Sequence, residues 1–216
     1  MTSILRFLVN MAATSAGAVA GFQTTLRAAQ NLQPHPLPHQ FASVLDHSLR
    51  RQYLDPAGVL GMYGAMAGMT VLDLGCGTGL FTVPAAQMAG DHGHVHAVDL
   101  QPAMLERAES QAAEAGVRDR ITFHCSGAYA LSLPDNSVDL AIIISTLGEI
   151  PDKPAALSEV RRVLKPGTRL GVTEELLNPA YMLAGTAVHW VEEAGFRFLA
   201  RTGSPFCYHA VFANEK

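Results

Sequence analysis

Nine residues, VLDLGCGTG from Val71 to Gly79, constrain the fold more than any other part of the chain. A short apolar run passes directly into three alternating glycines and then into a periodic apolar segment, which reads as a buried strand, a sharp turn and a helix. Glycines at this junction let the backbone turn tightly and approach a ligand, while the helix N-terminus offers unpaired N–H groups to a polar or negative group. One such unit predicts a parallel sheet with its ligand at the carboxyl ends of the strands.

The rest of the chain repeats the alternation. His94–Asp99, Ile121–Cys125, Val138–Ser145 and Arg169–Glu174 read as strands, with helices over about Leu80–Met88, Pro102–Ala115, Lys153–Leu164 and Ala180–Ala194. The run Val138–Ile144 is almost wholly apolar, as a strand buried on both faces should be, and marks the sheet centre. Lys165-Pro166-Gly167 reads as a turn, and Gly195 is placed to cap the last helix. Phe196–Ala200 and Pro205–Ala213 are separated by too few residues for a crossover helix, so they must pair antiparallel. The expectation is an α/β, doubly wound, seven-stranded Rossmann-like sheet, parallel except for the last strand.

At 216 residues a single domain is expected, occupying 41–216. Gln33–Gln40 reads QPHPLPHQ, a linker that sets off residues 1–40 as a helical arm. The arm is apolar from Ile4 to Phe22 apart from Arg6, and its Ala18-Val19-Ala20 resembles a signal cleavage site. Its Ala and Gly content argues against a secretory signal, and Asn10, Thr14 and Ser15 interrupt it as a membrane span. An amphipathic helix packed on its own domain, over the substrate mouth, on a partner or in a membrane interface remains.

A formal net charge of −4 with 16% charged residues would repel a polyanion, so nucleic acid is excluded as an expected partner. Cys76, Cys125 and Cys207 are odd in number and widely spaced, so they describe neither a disulfide framework nor a CxxC metal site, and a reducing cytoplasm fits. His92, His94 and His96 alternate, so two could share a strand face. No fourth ligand is evident and helix should cover that strand, so no metal is expected.

A GxGxG turn also serves dinucleotides. Here Leu80 stands where a dinucleotide fingerprint wants Gly or Ala, and Asp73 sits two residues before the first glycine, where its charge would repel a pyrophosphate but could hold an ammonium. Asp99, about 20 residues on at the end of the second strand, is placed to accept both hydroxyls of a ribose.

VLDLGCGTG, then AVDLQPAML at Ala97–Leu105, LPDNSVDLAII at Leu133–Ile143 and RRVLKPG at Arg161–Gly167 resemble the successive motifs of class I methyltransferases that use S-adenosylmethionine (SAM). The nearest likeness is to ubiquinone/menaquinone C-methyltransferases and bacterial phospholipid N-methyltransferases, over about Gln52–Gly167. The resemblance implies that Asp73 and the loop Gly75, Cys76, Gly77, Thr78, Gly79 hold the methionine part, Asp99 the ribose, and Leu100 with Met104 the adenine. Gly127 and Ala128 match a place where the family often has Asp-Ala beside the adenine amino group; Gly127 departs from that pattern. Ser145 and Leu147 would line the floor beside the sulfonium.

A sulfonium methyl is already electrophilic, so catalysis rests on positioning and on excluding water, with a base needed only if the acceptor loses a proton. Glu149, in LGEIPD, is the first choice for that base, and His189, beside Trp190 on the late helix, a second. Glu174 and Glu175 end a strand and should face opposite ways; either one beside Glu149 would favour an amine acceptor over a phenol. Arg50 and Arg51 read as a solvated basic pair, and the alternative as a grip on a substrate anion. The expected acceptor is a small, lipophilic or amine-bearing molecule, the arm adding peripheral membrane contact. Two rivals are a nicotinamide-dependent oxidoreductase, disfavoured by Leu80 and by the lack of a Tyr-x-x-x-Lys pair, and a SAM-binding protein without catalysis.

Overall fold

The computed structural model describes residues 48–216 and, before them, Gly21, Thr24, Thr25, Arg27, Gln30 and residues 34–36. Most of the expected arm and the boundary near residue 40 lie outside the described residues. Two short helices, α1 (Ser48–Leu54) and α2 (Pro56–Tyr63), lead into β1 (Thr70–Leu74), α3 (Thr82–Ala89), β2 (His94–Asp99) and α4 (Pro102–Glu114). There follow β3 (Ile121–Cys125), β4 (Val138–Ile144), α5 (Lys153–Val163), β5 (Leu164–Glu175), α6 (Ala184–Glu193), β6 (Phe196–Gly203) and β7 (Cys207–Asn214).

The seven strands lie in the order β3-β2-β1-β4-β5-β7-β6. β1 to β5 pair in parallel, and β7 inserts between β5 and β6 antiparallel to both, so the last strand alone opposes the rest. The chain winds outward from β1 to β3 and then crosses to β4 on the other side. That reversal parts the loops after β1 and β4 and leaves a crevice at their carboxyl ends. Alternate strand residues feed two cores. Leu72, Ala141, Ile143 and Val172 pack under α5 and α6, while Val71, Leu140, Ile142 and Val95 pack under α2, α3 and α4.

Local chemistry moves several boundaries. Asp152 caps α5 by accepting from the Ala155 N–H at 3.0 Å, and Gly195, at φ +88°, ends α6 by donating to the Glu192 carbonyl at 2.9 Å. α6 begins at Ala184 rather than Ala180 because Asn178 accepts from the Ala180 N–H at 2.7 Å through its side chain and from the Tyr181 N–H at 3.0 Å through its carbonyl. That local turn competes with helix and leaves residues 176–183 as a loop. Lys165-Pro166-Gly167 is a bulge within β5 instead of a turn before it, since Leu164 already pairs with Val138 and the register shifts before Leu140.

The segment between β3 and β4 carries turns but no helix. As a result His94, His96 and His124 share a partly exposed sheet face, contrary to the expected helical cover, with His96 Nδ1 3.1 Å from His124 Nε2 and His94 Nε2 2.8 Å from the Thr122 hydroxyl. Partial burial and mutual repulsion push His96 down to about 4, and burial also lowers the other two. Among the described residues no group of three or more metal-ligating side chains converges.

Tyr63 is fully buried across β5, its hydroxyl 2.5 Å from Thr173 Oγ1, which is in turn 2.9 Å from His209 Nδ1. The ring lies flat on Gly171, where a Cβ would stand 2.2 Å from Tyr63 Cδ2. Gly171→Ala should therefore cost about 1–3 kcal/mol through overpacking, read from urea unfolding at constant slope; a change below about 0.5 kcal/mol would show that the ring is free to move.

Candidate functional site

A cavity of about 410 Å³ opens at the carboxyl ends of β1, β2 and β4. Its inner wall is the loop after β1. Gly75, Gly77 and Gly79 stand at φ +76°, +53° and +91°, values that L side chains rarely adopt. A Cβ on Gly75 would lie 2.3 Å from Thr146 Cγ2, and one on Gly79 would lie 3.1 Å from the Ala108 Cβ of α4. The loop is pinned to β2: the Gly75 and Cys76 amides donate to the Val98 carbonyl at 2.8 and 3.0 Å, and the Gly77 amide donates to Asp99 Oδ2 at 2.9 Å.

Asp99 holds both sides of the crevice, since Oδ1 also accepts from the Gln101 amide at 2.9 Å. Burial raises its pKa and these amides partly offset the rise. Each carboxylate oxygen keeps a second lone pair for a ligand hydroxyl. Asp73 is 1% exposed at the end of β1 and accepts from the Thr82 hydroxyl at 2.6 Å. Among the described residues it has no cationic partner. Burial pushes it up to about 7, and the charge of Asp99 pushes the same way.

The opposite wall follows β4. Ser145 adopts φ +53°, unusual for a side chain with a Cβ, and is held there by three contacts. Its N–H donates to the Thr173 carbonyl at 2.7 Å, its hydroxyl to Glu175 Oε1 at 2.8 Å, and its carbonyl accepts from Asn178 Nδ2 at 2.6 Å. The same Asn178 amide donates to Glu149 Oε1 at 3.0 Å, which fixes that carboxylate at the cavity rim. Glu175 is closed off by Arg50, whose Nε and Nη2 both donate to Oε1, at 2.8 and 2.6 Å.

The sequence residues are therefore sorted as follows. Asp73, the loop Gly75 to Thr78, Asp99, Leu100, Met104, Gly127, Ala128, Ser145 and Glu149 all line the cavity. Gly79 lies behind it, against α4. Leu147 does not line it: the short turn Leu147–Glu149 rotates Leu147 into the core, and Thr146 takes its place. His189 lies on the exposed outer face of α6 beside Trp190, away from the cavity, because helical periodicity turns Ala187 and Val191 inward instead. Arg50 is buried and paired rather than solvated, whereas Arg51 is exposed and reaches Gln111 at 3.3 Å. Cys76 is buried with its thiol pushed up by desolvation, and Cys125 and Cys207 are also free and belong to other parts of the sheet. Asn178, Thr146 and Tyr129 line the cavity unforeseen; Leu-Asn-Pro at a strand end is the one local signal that marked Asn178.

Glu174 points to the α6 side of the sheet and Glu175 to the Arg50 side, as strand alternation requires. Glu174 is fully buried, and its carboxyl oxygens face the Met182 and Gly148 amides without closing a well-aligned hydrogen bond. Burial pushes it up to about 8; the Met182 and Gly148 amides lower it in part, and Glu149 raises it.

The methyltransferase domain family matches residues 71–167, from β1 to the Gly167 bulge. That segment is similar to the SAM-binding domain of class I methyltransferases. Over 111 residues the domain is 39% identical to the ubiquinone/menaquinone biosynthesis C-methyltransferase UbiE of Shewanella sp. (strain W3-18-1), covering 51% of this chain and 44% of that protein. It is 40% identical over 111 residues to the protein of the same description from Hahella chejuensis, covering 51% and 45%. The chain thus spans less than half the length of these curated relatives in the matched region. A SAM-dependent methyltransferase from Aquifex aeolicus superposes with a TM-score of 0.76 at 25% identity, covering 82% of this chain and 99% of that one.

The state of Glu174 has a measurable sign. In the unfolded chain it loses its proton near 4.5 and in the folded domain near 8, so the folded state binds the extra proton between these values. Unfolding free energy should fall as pH rises from about 4.5 to 8, and Glu174→Gln should flatten that fall and raise Tm more at pH 8 than at pH 5. A parallel pH profile in wild type and variant would show the carboxyl to be ionised and stabilised by groups that this geometry lacks.

Proposed function

We propose that the protein transfers the methyl group of SAM to a small, lipophilic, quinone-type acceptor. The observation that carries the reading is the single cavity joining the glycine loop, Asp73 and Asp99 on one wall to Ser145, Asn178 and Glu149 on the other.

The residues fit the cofactor. Asp73, buried without a cation among the described residues, matches the ammonium of the aminoacyl end, and the loop amides match its carboxylate. Asp99 has the free lone pairs for two ribose hydroxyls. Leu100 and Met104 would cover one adenine face, with Gly127 and Ala128 at its edge. When bound, SAM supplies an electrophilic sulfonium methyl. Ser145 and Thr146 would bound the space beside it and exclude water. Glu149, oriented by Asn178, would take the proton that an acceptor carbon or hydroxyl loses as the new bond to the methyl forms.

The UbiE relatives, named for quinone biosynthesis, support a lipophilic acceptor, and so does the apolar lining from Phe81, Ile144 and Ile150. Glu149 acts on the Glu174 carboxyl, but Glu174 is fully buried and Glu175 is paired to Arg50, so neither is open beside Glu149 to grip an amine. The described arm residues Arg27 and Pro36 lie at the proposed acceptor end: Arg27 donates to the Leu176 carbonyl and lies over the Tyr181 ring, and Pro36 lines the cavity. Work in a reducing cytoplasm with contact at a membrane surface fits the three free cysteines and this placement. A nicotinamide cofactor has no comparable support, because the buried Leu80 occupies the position where a pyrophosphate needs close backbone.

Two measurements test this. Calorimetry should show Asp99→Ala weakening S-adenosylhomocysteine binding by about 1.5–3 kcal/mol with the fold retained. Incubation of the intact protein with methyl-labelled SAM and reduced lipid extract should place label in a solvent-extractable quinol. Label confined to water-soluble product, or no transfer to any extract, would contradict the acceptor class and the enzymatic role respectively.

A further inference from the structure

The loop after β5 and the tip of the β6–β7 hairpin form one surface outside the cavity. Leu177, Leu183 and Phe206 are 68%, 68% and 66% exposed, three large apolar side chains held out in water. Loop and hairpin are joined, since the Leu176 amide donates to the Phe206 carbonyl at 2.7 Å and the Tyr181 hydroxyl to the Pro205 carbonyl at 2.6 Å. Exposed apolar groups gathered in this way mark a contact surface rather than ordinary solvent exposure.

Charge specifies what the surface meets. The protein has a formal net charge of −4, yet from Leu176 to Asn214 its only carboxylates are Glu192 and Glu193. Those sit at the far end of α6, nine or ten residues beyond Leu183 and so about 14 Å along the axis. The two acids that precede the loop do not offset this, because Glu174 is buried and Glu175 is paired to Arg50. Meanwhile Arg27 lies over the Tyr181 ring, and Arg201 is exposed near the end of β6, two residues before Gly203 at the hairpin tip. The one carboxylate that reaches this loop, Glu149, is held by Asn178 on the cavity side, and an apolar surface flanked by arginines on an otherwise acidic protein matches a bilayer interface bearing negative headgroups.

We propose that Leu177, Leu183 and Phe206, flanked by Arg27 and Arg201, dock the protein on a membrane surface containing anionic phospholipid. Asn178, between Leu177 and Leu183, lines the cavity, so docking turns the cavity mouth toward the lipid. The inference deepens the lipophilic-acceptor reading, giving that acceptor a route in, but the binding is measurable without any methyl transfer.

Flotation of the intact protein with phosphatidylcholine vesicles, and with vesicles of equal parts phosphatidylcholine and phosphatidylglycerol, tests it. Binding should require phosphatidylglycerol and weaken with salt, fall at least about tenfold in the double variant Leu177→Asp with Phe206→Asp, and fall about fivefold for each of Arg27→Ala and Arg201→Ala. Both loop substitutions are at exposed positions, and S-adenosylhomocysteine affinity should not change. Absence of vesicle binding, equal binding by the double variant, or a dimer in sedimentation velocity that the double variant disperses would overturn the proposal. Vesicle binding without methyl transfer to lipophilic acceptors would leave the docking surface standing and remove the acceptor reading.

Discussion

The carboxylate of Asp99 is the contact on which the rest of the site depends. It accepts from Gly77 in the loop after β1 and from Gln101 at the start of α4, and so ties together the ends of two neighbouring strands. The three glycines are compatible with this bridge because they can take left-handed φ values, and Thr146 and Ala108 leave no room for a Cβ at Gly75 and little at Gly79. A loop held in this way presents amides and a carboxylate in fixed positions before any ligand arrives. Preorganisation of that kind is what a reaction driven by positioning requires.

The second wall is built differently. Ser145 is held in a strained backbone conformation by contacts from β5, Asn178 and Glu175, and the Glu175 charge is closed by Arg50 from α1, 125 residues away in the chain. A buried ion pair of this sort contributes more to fixing one arrangement than to net stability. Here it fastens the first described helix to the edge of the acceptor space. Asn178 couples the same wall to Glu149, so the proposed proton acceptor and the strained serine share one support.

Much of this was legible in the amino-acid order. Alternation of short apolar runs with periodic segments indicated the parallel sheet, and the short connection at Thr202-Gly203-Ser204 forced the antiparallel end. The glycine loop, Asp73 and Asp99 were readable because their chemistry is local, set by a strand end and a turn. What escaped was either long-range or rotational. Arg50 looked like a solvated cation because Glu175 is distant in sequence, and Asn178 had no visible partner until β4 and β5 lay side by side. Leu147 and His189 were placed by proximity to the motif and by residue type, and a short helical turn and a helix face sent each elsewhere. The bare histidine face followed from a missing crossover helix whose covering role the pattern of strands could not reveal.

The two walls meet over one cofactor in this description, and a crystal structure with S-adenosylhomocysteine is the most direct measurement of that claim. The ribose hydroxyls should lie within about 2.5–3.0 Å of the Asp99 oxygens, the ammonium beside Asp73, and the sulfur should face the space between Ser145 and Glu149. A nucleoside bound away from Asp99, or a sulfur turned from the β4 wall, would contradict it.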